Sequence, residues 1–99
     1  MTPIIKVIIP AHNEQDSVGK VIRDIPKIVD EIIVISNNSN DKTAENAKKA
    51  GATVLFENRK GYGYACLKGM DYIAQKEKTP EIVVFLDGDY SDYPEQLTT

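Results

Sequence analysis

Four short apolar runs punctuate the chain: Ile4-Ile5-Lys6-Val7-Ile8-Ile9, Ile32-Ile33-Val34-Ile35, Thr53-Val54-Leu55-Phe56 and Ile82-Val83-Val84-Phe85-Leu86. They are rich in β-branched residues and show no clean alternation, the signature of strands covered on both faces. Between the first two, Val18, Val21, Ile22 and Ile25 recur at i, i+3, i+4 and i+7, one face of a helix. Pro10 is expected to end the first strand, Asn13 to cap that helix, and Pro26 to stop it. A second helix over 42–50 offers the small residues Ala44, Ala47 and Ala50, with Asn40 or Asp41 as its cap and Gly51 as its left-handed terminator. A third, over 64–76, carries Cys66, Gly69, Met70 and Ile73 inward. The chain ends with Pro94 at the first turn of what reads as one more helix, as though the domain were truncated.

Strands alternating with helices predict an α/β fold: a three-layer, Rossmann-like, mostly parallel sheet in the order 3-2-1-4. The first and fourth strands are then neighbours, and the winding reverses between them. Ligands of such sheets bind at that switch point, beyond the carboxyl ends of the strands. The polar segment 10–14, the cluster 37–41 and Asp87-Gly88-Asp89 should therefore share one crevice. Alternate residues of an extended segment face the same way, so Asp87 and Asp89 can point together. They read either as a solvated acidic turn or as a pair held close by a cation. In a shared crevice the second reading gains weight, and Mg²⁺ or Mn²⁺ bridging a phosphate-bearing ligand suits the oxygen donors.

Composition narrows the picture. With 99 residues, 41% apolar and 27% charged, the chain fits one small soluble domain. A net charge of −3 speaks against nucleic acid, whose phosphates need a basic face. No apolar run is long enough to span a membrane, and residues 1–10 lack the features of a secretory signal. The single cysteine, Cys66, permits no internal disulfide, fits a reducing cytoplasm and reads as core. His12, the one histidine, leaves no zinc cluster or catalytic triad. Gly61-Tyr62-Gly63 lacks the third glycine of a dinucleotide fingerprint. From Asp87 onward the calcium-loop pattern fails, with Asp92 at its glycine position and Thr98 at its glutamate.

Four motifs then occur in order: V-I-I-P-A-H-N-E (7–14), S-N-N-S-N-D-K-T (36–43), N-R-K-G-Y-G (58–63) and D-G-D (87–89). Together they resemble the amino-terminal half of family 2 glycosyltransferases with the GT-A fold, the polyprenyl-phosphate and dolichol-phosphate sugar synthases being nearest. The resemblance implies that residues 1–99 are the donor-binding half, without the acceptor half. It implies that Pro10, Ala11 and Glu14 line the base and ribose pocket of a UDP- or GDP-linked sugar. Asn37 or Asn38 stands where an aspartate contacts the base, and Lys60 lies near the diphosphate. The resemblance further implies that Asp89 is the direct ligand of Mg²⁺ or Mn²⁺, with Asp87 nearer the ribose, that His12 has a mainly structural role, and that Ser91 stands where a glutamine is usual. The implied activity is metal-dependent, inverting transfer of a hexose to an acceptor such as a polyprenyl phosphate, with the base beyond residue 99 and this chain alone inactive. A cytoplasmic location, peripheral to a membrane in the full-length protein, follows. A sheet face or edge left uncovered favours a homodimer. The alternatives are a flavodoxin-like binding or signalling module and a nucleotidyltransferase fragment, which lacks its glycine-rich loop here.

Overall fold

The computed structural model describes residues 4–76 and 82–86. Seven elements follow in order: β1 (Ile5–Ala11), α1 (Val18–Asp24), β2 (Glu31–Asn37), α2 (Thr43–Lys49), β3 (Thr53–Glu57), α3 (Tyr62–Lys76) and β4 (Ile82–Phe85). The strands form one parallel sheet in the order β3-β2-β1-β4, as the alternating pattern predicts. Val7, Ile9 and Val34 bury one face of the sheet under Val18, Val21 and Ile22 of α1 and Ala47 of α2. Ile8, Ile33 and Ile35 bury the other under Ala65 and Ile73 of α3. Both faces of β1 and β2 are therefore core, which is why neither strand alternates in sequence.

Pro10 does not end β1, which runs on to Ala11. The amides of Ile82 and Leu86 bond the carbonyls of Ile4 and Ile8, so even-numbered residues of β1 present their backbone groups to β4. The donor that Pro10 lacks falls on that side, after the described pairing to β4 closes at Ile8 and Phe85. The ladder to β2 loses nothing and continues to Ala11 and Ser36.

Helix α1 starts at Val18, later than an Asn13 cap would place it. Asn13 is instead in the left-handed region (φ 50°), and the Glu14 carbonyl accepts from the Ser17 and Val18 amides to open the first turn. The helix closes where Pro26 demands it, Ile25 being extended (ψ 133°). Gly51 adopts φ 102° after α2, the terminator conformation expected of it.

Helix α3 begins two residues earlier than its apolar pattern suggests and turns a different face inward: Ala65, Gly69 and Ile73 are buried, whereas Met70 is exposed and Cys66 half-buried. Close approach explains the choice. A Cβ at Gly69 would lie 2.8 Å from Ile8 Cγ2, so glycine lets the helix settle directly on β1.

At the amino end of the sheet a buried ionic network crosses three strands and α3. Lys6, only 5% exposed, donates from Nζ to Glu31 Oε1 at 3.0 Å. Thr53 Oγ1 and Tyr72 Oη donate to Glu31 Oε2 at 2.8 and 2.7 Å. Burial raises the Glu31 carboxyl, but the hydrogen bonds from Tyr72, Lys6 and Thr53 and the Lys6 charge outweigh it. The pKa falls from 4.5 to about 2. Because the folded value lies below the unfolded one, this stabilisation is complete above about pH 4.5 and is lost as pH falls toward about 2. Urea midpoints are accordingly expected to stay level from neutrality to about pH 4.5 and then to drop as pH falls toward about 2. Glu31→Gln should blunt that drop; an unchanged slope would assign it to other carboxylates.

Candidate functional site

The loops at the carboxyl ends of β1, β2 and β3 interlock through short polar side chains. The Asn13 amide donates to Ser39 Oγ at 3.1 Å, and Asn13 Oδ1 accepts from the Asn40 amide at 2.8 Å. The Glu14 amide donates to Thr43 Oγ1 at 2.7 Å. Thr43, fully buried, donates a hydrogen bond from its hydroxyl to Asp41 Oδ1, which also accepts one from the Thr43 amide at 2.9 Å. The N-cap of α2 is therefore Lys42, with no side-chain capping bond, rather than Asn40 or Asp41; Asp41, one residue earlier, accepts the first helical amide in a local side-chain turn. Desolvation raises its carboxyl, but the side-chain and backbone bonds from Thr43 and the backbone bond from Gln15 bring it below the ordinary value. His12 fastens the same pair of loops: Nδ1 lies 2.7 Å from the Asn37 carbonyl oxygen. A carbonyl only accepts, so Nδ1 carries the proton and Nε2 can receive Asn13 Nδ2 at 3.4 Å.

Asn37 organises the third loop. Its Nδ2 donates to the carbonyls of Glu57 (3.2 Å) and Arg59 (2.8 Å), and its Oδ1 accepts from the Gly61 amide at 3.3 Å. Asn38, left-handed at φ 55°, adds a bond from Nδ2 to the Asn58 carbonyl at 3.0 Å. Glu57 and Arg59 close the turn as a fork. Arg59 donates from its amide and Nε to Oε2 at 2.9 and 3.0 Å, and from Nη2 to Oε1 at 3.0 Å. The Arg59 side-chain and backbone hydrogen bonds hold the Glu57 carboxyl at about 2. The guanidinium also lies over the Tyr64 ring, 4.4 Å from its centroid. Arg59 is therefore occupied within the chain, and the exposed Lys60 is its unlocked neighbour in the turn.

Four of the residues singled out from sequence meet in one open cleft of about 160 Å³. Pro10, Ala11, Glu14 and Asn37 line it together with His12 and with Tyr62 and Ala65 of α3. Ligand pockets commonly run from about 300 Å³ upward, so this cleft is smaller than a usual complete small-molecule site. Asn38 and Lys60 lie in adjoining loops and do not line it. Asp87 and Asp89 lie outside the described residues, as do Ser91 and Pro94. Among the described residues no group of three His, Cys, Asp or Glu side chains could hold a metal ion, and no helix is long and apolar enough to cross a membrane. Sequence reasoning missed Tyr62, because it started α3 later, and the Glu57–Arg59 fork. The i, i+2 spacing of opposite charges at the end of a strand was the available signal for that fork.

Comparison with known proteins agrees with this architecture. The model of the family described as "Glycosyl transferase family 2" matches residues 6–99. The 4,4'-diaponeurosporenoate glycosyltransferase of Staphylococcus haemolyticus is 35% identical over 97 residues, 89% of this chain and 24% of that protein. The dolichyl-phosphate hexose transferase of Haloferax volcanii is 37% identical over 62 residues, 60% of this chain and 27% of that one. Glucosyl-3-phosphoglycerate synthase from Mycobacterium tuberculosis, crystallised with Mn²⁺, UDP-glucose and phosphoglyceric acid, superposes with a TM-score of 0.80 at 29% identity. That match covers 97% of this chain and 37% of the synthase. The chain thus spans between 24% and 37% of these relatives' lengths. With its parallel 3-2-1-4 sheet and GT-A-like fold, it belongs to glycosyl transferase family 2 and is related to the dolichyl-phosphate sugar synthases.

Proposed function

We propose that residues 1–99 are the donor-binding half of a metal-dependent, inverting glycosyltransferase that takes a hexose from a nucleotide diphosphate sugar. The observation carrying this reading is the cleft at the carboxyl ends of β1 and β2, walled by Pro10, Ala11, Glu14 and Asn37. It opens next to the point where the sheet's winding reverses, the usual place for a nucleotide in such folds. The relative crystallised with UDP-glucose and Mn²⁺ supports a UDP-linked donor.

In this reading Pro10, Ala11 and Glu14 face the base and ribose, and Asn37 and Asn38 shape the floor and lip of the pocket. Lys60 supplies positive charge near the diphosphate, a part Arg59 does not take because Glu57 holds its guanidinium. Asp89 holds Mg²⁺ or Mn²⁺, with Asp87 closer to the ribose. Hard carboxylate oxygens are the donors these ions prefer, and a bound divalent cation offsets charge on the departing diphosphate. The acceptor is a lipid phosphate, whose anionic oxygen needs no base to deprotonate it. In this reading the acceptor pocket belongs to the remainder of a longer protein, and the enzyme works in the cytoplasm, peripheral to a membrane. The apolar residues left exposed at the sheet edges, Phe56, Ile82 and Phe85, favour self-association of the isolated chain.

Calorimetric titration with UDP and GDP, each with and without Mn²⁺, tests the reading. UDP is expected to bind only with the metal, GDP more weakly, and UDP-glucose to undergo no transfer to a polyprenyl phosphate. Indifference to both nucleotides would favour a flavodoxin-like module, and turnover by the 99-residue chain would overturn the half-site assignment.

A further inference from the structure

Tyr62 lines the cleft together with Pro10 and Ala11 and is 54% exposed. Tyr64, under Arg59, and Tyr72, bonded to Glu31, do not line the cleft. Tyr62 and the imidazole of His12 are the aromatic rings that the described structure gives to it. The placement of Tyr62 is set one residue upstream. Gly61 has φ 126°, and its amide bonds to Asn37 Oδ1 while the Arg59 carbonyl bonds to Asn37 Nδ2. One buried amide therefore fixes the turn from which α3, and Tyr62 with it, sets out.

We propose that Tyr62 is the base-facing wall of the nucleotide cleft, with Asn37 acting through it as a positioning residue. The inference rests on the nucleotide reading above and adds a contact to it. The ring offers a π-face for a base to lie against, an interaction tolerant of base identity. Both hydrogens of the Asn37 amide go to carbonyl oxygens. A carboxylate at that position would repel the same carbonyls, so the turn requires an amide there.

The test uses the whole chain, Mn²⁺, and two probes that differ in carrying a base: UDP and inorganic pyrophosphate. Tyr62→Ala is expected to weaken UDP about tenfold and pyrophosphate by less than about twofold, whereas Tyr62→Phe keeps UDP affinity. Asn37→Ala should weaken UDP about tenfold as well, and combining it with Tyr62→Ala should add little, because both remove one contact. A neutral Tyr62→Ala, or equal losses for both probes, overturns the base-facing wall; additive losses overturn the route through Asn37. If Asn37→Ala fails to fold, Gly61→Ala replaces it. The added methyl there meets only Tyr64 Cδ2 at 3.8 Å, so it disturbs the turn through φ alone, and the same pattern is required of it. A wild-type chain that binds pyrophosphate and not UDP, or neither, overturns the nucleotide reading and this inference with it, before any variant is made.

Discussion

Glu31→Ala is expected to destabilise the fold by about 3–5 kcal/mol, the usual cost of removing one partner of a buried ion pair. The loss does not come from a missing attraction alone. Lys6, with 6% of its side chain exposed, would lose the carboxylate oxygen that its Nζ meets at 3.0 Å. The hydroxyls of Thr53 and Tyr72 would lose their common acceptor, each leaving a donor to be satisfied elsewhere. Three strands and α3 meet at this carboxylate, so the loss is not confined to one edge. Stabilities of small domains lie at about 5–15 kcal/mol, so the variant should unfold at much lower urea concentration. The surface pair Glu45–Lys49, 4.0 Å apart with side chains 58% and 74% exposed, is the control: Lys49→Ala should move the midpoint by no more than about 0.5 kcal/mol. Replacing Lys6 by Met together with Glu31 by Leu should recover much of the loss, since both members of the pair are then removed. A shift below about 1 kcal/mol for Glu31→Ala would show that water reaches the network.

Backbone architecture was legible in the sequence because burial on both faces leaves a direct mark. Ile8 and Ile9 point to opposite layers of core, and only a doubly covered strand explains two isoleucines in succession. The left-handed Gly51 was readable for a related reason, being a local requirement of chain geometry. What stayed hidden depends on partners remote in sequence. Lys6 sits inside an apolar run, and nothing nearby reveals Glu31, 25 residues on, as its counter-ion. Pro10 looks like a strand end until β4 is known to lie on the side that needs no donor from it. Met70 fits the apolar stripe of α3 as well as Ala65 does, and the close contact of Gly69 with Ile8 decides between them.

The cleft divides in the same way. Pro10, Ala11, Glu14 and Asn37 were recognisable as a group because the switch point of the sheet gathers the loops that carry them. The part played by Asn37 was not, since a short amide in a run of short polar residues gives no sign that it will bond three backbone groups at and just after the end of β3. The network explains why this stretch is polar. The side chains of Asn13, Asn37 and Asn38 each satisfy a backbone group that the turns would otherwise leave bare. The cost is that each amide has less capacity left for a ligand, which shifts base contact toward the walls of the cleft.

Asp89→Ala is expected to abolish Mn²⁺-dependent binding of UDP, and this is the largest functional effect the proposed reading requires. Altering residues that merely support a ligand commonly costs about 10–100-fold in metal affinity, so losing a direct ligand should cost at least about 100-fold. The thermal behaviour separates this from damage to the fold. Without metal, Asp87 and Asp89 are like charges separated by a single glycine, and each penalises ionisation of the other. Removing one should leave the metal-free melting temperature unchanged or slightly raised. With Mn²⁺ and UDP present, the wild-type chain gains stability by mass action, about 2.7 kcal/mol at a ligand concentration 100 times Kd; the variant should gain none. Counting free Mn²⁺ by electron paramagnetic resonance reads the same loss directly, without any transferase assay. Alanine at the exposed Asp16 controls for the change in net charge. Equal Mn²⁺ uptake by the Asp89 variant and the wild type would remove the metal from this pair. The acidic residues after β4 would then be the solvated turn that their composition also allows.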